Sequence, residues 1–408
     1  MLITDGHVLD IDARRFRKRD IRFGDGIFMA VADRLDAKPG ERTICAEGLW
    51  LLPGLIDAHV HVIGVEDDLR QLHRQPPYLV AAKSARVLDR MLSRGFTSVR
   101  DAGGADASLV TAIETGLFRG PRLFPSGRGL AQPGGQGDFR SDGESDLGCP
   151  CCAGRRSITR LASGPAALRL AVGEEIAAGA TQIKVMASGG IASPGGPEKR
   201  QYDVDELRAI VNAATEAGTY VMAHAYGAAA IRACVEAGIR SIEHGSGLDK
   251  ATAVLMAERG AVLVPTLVVF DRLARSGGAL GETAQRIFDE SCASIRLAQA
   301  AGVQIAHGSD LEGSAHVDQS AEFRLKASVM TASEVIASAT VVSARLLPGP
   351  ARRGVLDDGA VADLIALDQN PLADIEALAT PERHLRLVIK GGDVVLGRHL
   401  VGNEGAEA

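Results

Sequence analysis

With 408 residues, 46% of them hydrophobic, the chain can fill one large core and a smaller satellite domain. Its net charge of −6 and lack of any basic tract argue against nucleic-acid binding through the phosphate backbone. No apolar run reaches the roughly 20 residues of a membrane span, and Met1-Leu2-Ile3-Thr4-Asp5-Gly6 lacks the pattern of a secretory signal, so a cytoplasmic location is expected.

The first fifty residues alternate strand-like pieces with turn signals. Met1–Asp10 contains Asp5-Gly6, and Asp20–Val31 contains Asp25-Gly26; Asp-Gly between apolar runs predicts a hairpin. The other end looks the same, in Gly354-Val355-Leu356, Asp363–Leu367 and Leu385–Val395. Both ends together predict a small β-sandwich domain from residues 1–52 and 353–408.

The middle, 53–352, alternates strand and helix. Apolar strands are expected at 55–61, 96–101, 121–126, 181–187, 219–224, 239–244, 261–266 and 303–309. Helices are expected at 77–94, 165–179, 203–217, 227–237, 249–259 and 283–301. Gly95, Gly179, Gly218, Gly238, Gly260 and Gly302 close them, and Asp203 and Asp249 stand at N-cap positions. Eight strands with helices between them predict an α/β fold, a (β/α)8 TIM barrel. The stretch 127–164 is too long for a simple connection and reads as a lid or binding loop. It holds Cys149, Cys151 and Cys152, whose spacing does not fit the usual structural zinc site and which read as reduced thiols of a structural loop, with redox or metal chemistry as the alternative. Stretches 190–202 and 267–282 read as further pocket loops.

In such a barrel the chemistry gathers at the C-terminal ends of the strands. The first expected strand ends in His59 and His61, which share a face and stand about 7 Å apart along it. The second ends in Arg100-Asp101, the fifth at His224, the sixth at Glu243-His244 and the eighth at His307-Gly308-Ser309-Asp310. The fourth carries Lys184 between Ile183 and Val185, where a charge is costly unless paired or removed. Carbamate formation with CO2 removes it and creates an anionic oxygen ligand; a salt-bridged or snorkelling lysine is the plainer alternative.

With these residues in this order, the sequence resembles the amidohydrolase superfamily. It is most similar to the zinc-dependent prolidase-like branch of Xaa-Pro and related dipeptidases, which includes ochratoxin-type amide hydrolases. The resemblance covers nearly the whole chain. It rests on Pro53–His61, Gly95–Gly104, Cys149–Cys152, Gln182–Gly190, Ala223–Tyr226, Ser241–Gly245 and Asp310. It implies two divalent cations, expected to be zinc. His59, His61 and Asp310 would hold the first and His224 and His244 the second. A carboxylated Lys184 and a hydroxide nucleophile would bridge them, with Asp310 as general acid and base. The implied substrate is a small amide, a dipeptide or an N-acyl amino acid.

Gln136 stands where the branch has a histidine for the scissile carbonyl, and glutamine cannot carry a proton across. Tyr226 is a candidate for carbonyl recognition. Arg100 and Arg128 are candidates for a substrate carboxylate. His316 either lines the pocket or sits in an exposed loop. Asp57 either orients a histidine or pairs with Arg100. His307 is a packing residue or an added pocket group. Barrels of this kind often self-associate, but no stretch marks an interface. Two other readings are a one-metal cyclic amide hydrolase or deaminase of the imidazolonepropionase type, and a non-catalytic barrel used in assembly. Lys184 speaks against the first and the filled ligand positions against the second.

Overall fold

The computed structural model describes residues 1–140, 157–193 and 195–398; Cys149, Cys151 and Cys152 lie outside the described residues. Two parallel sheets curve toward each other. One holds Leu55–Val60, Phe96–Asp101 and Arg122–Phe124. The other runs from Thr159–Leu161 and Gly129–Ala131 through Ile183–Met186, Val221–Ala225 and Ser241–His244 to Val262–Val264. The expected third strand is broken after Phe124. Gly127 takes φ +64°, and Gly129–Ala131 then pairs with the fourth strand.

The seams are closed by a few hydrogen bonds each. Thr181 N–H donates to Pro125 O at 2.7 Å. The expected eighth strand is an irregular segment with one bridge, Leu263 to Ile305. Ala306 N–H donates to Leu263 O at 2.8 Å on one side, while Ala58 N–H donates to His307 O at 2.8 Å on the other. Gly308 explains the tight fit. A β-carbon there would lie 2.7 Å from Cβ of His59 and 2.5 Å from Cγ1 of Val264.

Helices Pro77–Ser93, Pro165–Ala177, Val204–Glu216, Ala228–Ala237, Lys250–Glu258 and Gly278–Ala301 follow the expected pattern. The six glycines past their ends have φ between +65° and +96°, where a β-carbon would be strained. Asp203 forms a reciprocal cap with Glu206, and Asp249 accepts from Thr252 N–H at 2.7 Å. Leu267–Ala274 is helical inside the stretch 267–282 expected to be loop. Its apolar start, Leu267, Val268 and Phe270, is buried, and that burial overrides the turn-like composition beyond it.

Strands from both ends form one mixed eight-stranded sheet. Its order is Asp393–Gly397, Leu385–Lys390, Leu364–Leu367, Trp50–Pro53, Leu2–Asp10, Arg15–Gly24 and Ile27–Ala32, with Thr43–Cys45 also on Leu2–Asp10. Its core includes Ile3, Phe23, Phe28, Leu51 and Leu387. Asp25 and Gly26, both at positive φ, make the expected hairpin. Asp5-Gly6 does not. Leu2–Asp10 runs through it as one strand, with a bulge between Ile3 and Gly6 where Asp5 takes φ +63°. Leu51 fills the space where a Gly6 side chain would stand.

Candidate metal centre

Six buried or nearly buried side chains meet at the C-terminal mouth of the barrel. His59 and His61 come from the first strand, Lys184 from the fourth, His224 and His244 from the fifth and sixth, and Asp310 from the eighth segment. Asp310 Oδ1 lies 3.2 Å from Nε2 of both His59 and His61. Ligand atoms of His59, His61 and Asp310 all fall within 4.8 Å of one another. The His224 and His244 rings are 4.6 Å apart, and His244 is 5.3 Å from His59.

Each histidine has one ring nitrogen held by the protein. His59 Nδ1–H donates to Glu243 Oε2 at 2.6 Å and His61 Nδ1–H to Gly103 O at 3.3 Å. His224 Nε2–H donates to Gly189 O at 2.8 Å, and His244 Nδ1 pairs with the Thr266 hydroxyl at 2.7 Å. That leaves Nε2 of His59, His61 and His244, and Nδ1 of His224, for a cation. Fixing one nitrogen sets the tautomer of the other, as in metal-binding histidines generally.

The electrostatics suit neutral imidazoles at His224 and His244, whereas burial at His61 is outweighed by Asp310, Glu312 and Asp101, which raise it above its usual value. Burial, with the charge of Lys184, pushes His224 down to about 3. Burial and His224 hold His244 well below its usual range. Burial also lowers Lys184, whose Nζ has one hydrogen bond among the described residues, to His59 Nε2 at 3.4 Å. A buried amine with so little support is an incomplete group. Burial disfavours the Asp310 carboxylate, but His59 and His61 outweigh it and hold that carboxyl well below the usual range.

Backbone strain gathers here. Asp310, His244 and Thr266 take φ of +53°, +68° and +50° without being glycine. Such conformations cost about 1–3 kcal/mol each and persist where surrounding structure imposes them. Asp310 is tied by its N–H to His59 O at 2.9 Å.

A sequence model described as the Amidohydrolase family matches residues 50–395. The chain belongs to the amidohydrolase family. A prolidase whose crystal structure holds N-methylphosphonate-L-proline is 44% identical, with a TM-score of 0.93 over 97% of this chain and 99% of that one. Ochratoxinase from Aspergillus niger is 35% identical over 366 residues, covering 85% of this chain and 76% of its own length. A Xaa-Pro dipeptidase with methionine in its active site is 29% identical, with a TM-score of 0.86 over 97% and 99% of the two chains. This amidohydrolase is a metal-dependent hydrolase of C–N amide bonds. No helix among its described residues is long and apolar enough to cross a membrane.

Of the expected substrate contacts, Tyr226 packs against the candidate ligands His224 and His244. Its buried ring stacks on His244 at 5.2 Å and meets His224 edge-on at 4.8 Å. Gln136 faces the loop after the fourth strand, where its Oε1 accepts from the Ser193 hydroxyl at 2.6 Å. Gly190 leaves it room, since a β-carbon there would fall 2.2 Å from that oxygen. Arg100 needs correction. It is wholly buried in the barrel, donating to Glu243, Ala58 O, Ser241 and Tyr220, so its guanidinium is not offered to a substrate carboxylate. Arg128 is half-buried against Glu175, at 2.9 Å. His316 is buried rather than exposed, and donates to Gly64 O at 3.0 Å.

Asp57 neither pairs with Arg100 nor orients an imidazole. It accepts from His59 N–H, Ser309 and Gln319, fastening the first strand to the eighth segment. His307 packs, stacked on Phe323 at 4.4 Å. Glu243 supplies the orienting carboxylate; its place one residue before His244 signals proximity but not that it reaches across to His59. The carbonyls of Gly103 and Gly189 are backbone groups and leave no side-chain signal.

Proposed function

We propose that this amidohydrolase holds two divalent cations, expected to be zinc, and cleaves the amide bond of a dipeptide or an N-acyl amino acid. The observation that carries the reading is the four histidines, each with one ring nitrogen engaged by the protein and the other left for the centre. His59, His61 and Asp310 would hold one cation and His224 and His244 the other. Lys184, as its carbamate, would serve both; the neutral amine favoured by burial is the form that reacts with CO2. Imidazole nitrogen and anionic oxygen suit zinc. Bound cations acidify water and polarise a carbonyl.

The chain's own groups do the rest. Asp310 takes a proton from the attacking water and passes it to the leaving amine. The Tyr226 hydroxyl and the Gln136 amide N–H groups donate to the substrate's carbonyl region. The prolidase and ochratoxinase relatives support an acyl group bound to an amino acid as the substrate class.

A single-cation centre, as in the cyclic-amide reading, is favoured by one observation. Among the described residues, the ligand atoms gathered within 4.8 Å come from His59, His61 and Asp310 alone. The test is a metal count on purified protein, with a screen of dipeptides, N-acyl amino acids and cyclic amides on the zinc-loaded enzyme. Two metals per chain and turnover of linear amides are expected. One metal with cyclic-amide turnover alone overturns the reading.

A further inference from the structure

The loops after the first strand and the eighth segment interlock on one side of the mouth. Gly313 N–H donates to Gly64 O at 2.7 Å, and Ser314 N–H donates to Asp67 Oδ1 at 2.7 Å. This clasp sets Glu312 beside His61. A β-carbon on Gly64 would stand 3.1 Å from Cβ of His61 and 3.4 Å from Cγ of Glu312, so a glycine-wide slot separates the two side chains. Glu312 follows Asp310 by two residues, in extended backbone (φ −135°, ψ 158°), and is partly exposed.

Among the described residues the Glu312 carboxylate has no hydrogen bond or ion pair, and the charges acting on it most strongly are those of His61 and Asp310. The neighbouring carboxylates are committed: Glu66 to Lys83 at 2.5 Å, Asp67 to Ser314, and Asp68 to Arg70 at 2.9 Å. Across the barrel, the loop after the fourth strand carries exposed Lys199 and Arg200. Strands four apart in an eight-stranded barrel stand opposite each other. A half-buried carboxylate without a partner is costly until a cation joins it.

We propose that Glu312 receives the protonated α-amino group of the substrate, which is therefore a dipeptide with a free N-terminus rather than an N-acyl amino acid. This rests on the amide-hydrolase reading above and narrows it.

The test uses a phosphinic isostere of a dipeptide, with its amine free or acetylated. Binding is measured by calorimetry to metal-loaded wild type, Glu312→Gln and Glu312→Asp, alongside metal content and kcat/KM on the matching amides. Wild type is expected to bind the free amine at least about tenfold more tightly than the acetylated form. Glu312→Gln brings that ratio toward one, and Glu312→Asp retains part of it. Equal binding of the two forms by wild type, or an unchanged ratio in Glu312→Gln, overturns the proposal. So does loss of metal from Glu312→Gln, which would make the residue a support for the centre. An intact ratio with no turnover of any amide upholds the amine site and overturns the hydrolase reading instead.

Discussion

Glu243 Oε2 stands 2.6 Å from Nδ1 of His59, and the same carboxylate takes two contacts from Nη2 of Arg100, at 3.0 and 3.1 Å. All three side chains are fully buried. Burial disfavours the carboxylate's charge, but Arg100 and His59 outweigh it and hold the carboxyl down to about 2. Glu243→Gln keeps the shape and removes the charge, leaving Arg100 uncompensated in the barrel interior. Breaking a buried pair from one side costs about 3–5 kcal/mol, and loss of a histidine's orienting partner weakens metal binding about 10–100-fold. Thermal unfolding and metal titration check both effects. Wild-type values in either measurement contradict that role.

Lys184→Ala is expected to lose turnover, and added short-chain carboxylic acids are expected to restore part of it. The acid would occupy the space vacated by the side chain and supply the missing oxygen ligand. Full activity of Lys184→Ala without added acid would rule out the carbamate.

Gly308→Ala puts a methyl group within 2.7 Å of Cβ of His59 and 2.5 Å of Val264 Cγ1. Both neighbours belong to packed strands, so the backbone must move. Overpacking of this kind costs about 1–3 kcal/mol. The displaced ligand is expected to show as weaker metal binding and lower kcat, with the substrate's KM changed less. Unaltered metal affinity would mean that the eighth segment yields instead of the first strand.

The metal-free protein is expected to lose stability on mild acidification. His224 is held near 3 in the folded chain against an ordinary 6.5, and Glu243 near 2 against 4.5. The unfolded chain therefore takes up these protons first. Stability is lost as pH falls from about 6.5 toward 3 through His224, and from about 4.5 toward 2 through Glu243. The melting temperature of metal-free protein should drop steadily between pH 7 and pH 4. A flat profile over that range would mean that other groups offset both.

The alternation of the barrel, the helix ends and the six residues that meet at its mouth were legible in residue order, while the break after Phe124 and the irregular eighth segment were not. Strand periodicity, helix-closing glycines and residue order are local or one-dimensional properties, so the positions of Gly95, Asp203, His59 and Asp310 could be read without coordinates. Tertiary structure decided the pairings. Arg100 is an inward residue on the second strand, and only barrel closure shows that Glu243, on the sixth, reaches its guanidinium before any substrate does. In the terminal sheet, pairing makes Asp5-Gly6 a bulge under Leu51 instead of a hairpin, and the loop contact with Gly64 buries His316. The His59–His61 pair needs only a strand. Its fixed imidazoles need Glu243 and the Gly103 carbonyl, which arrive from other strands because burial leaves a ring N–H no water to turn to.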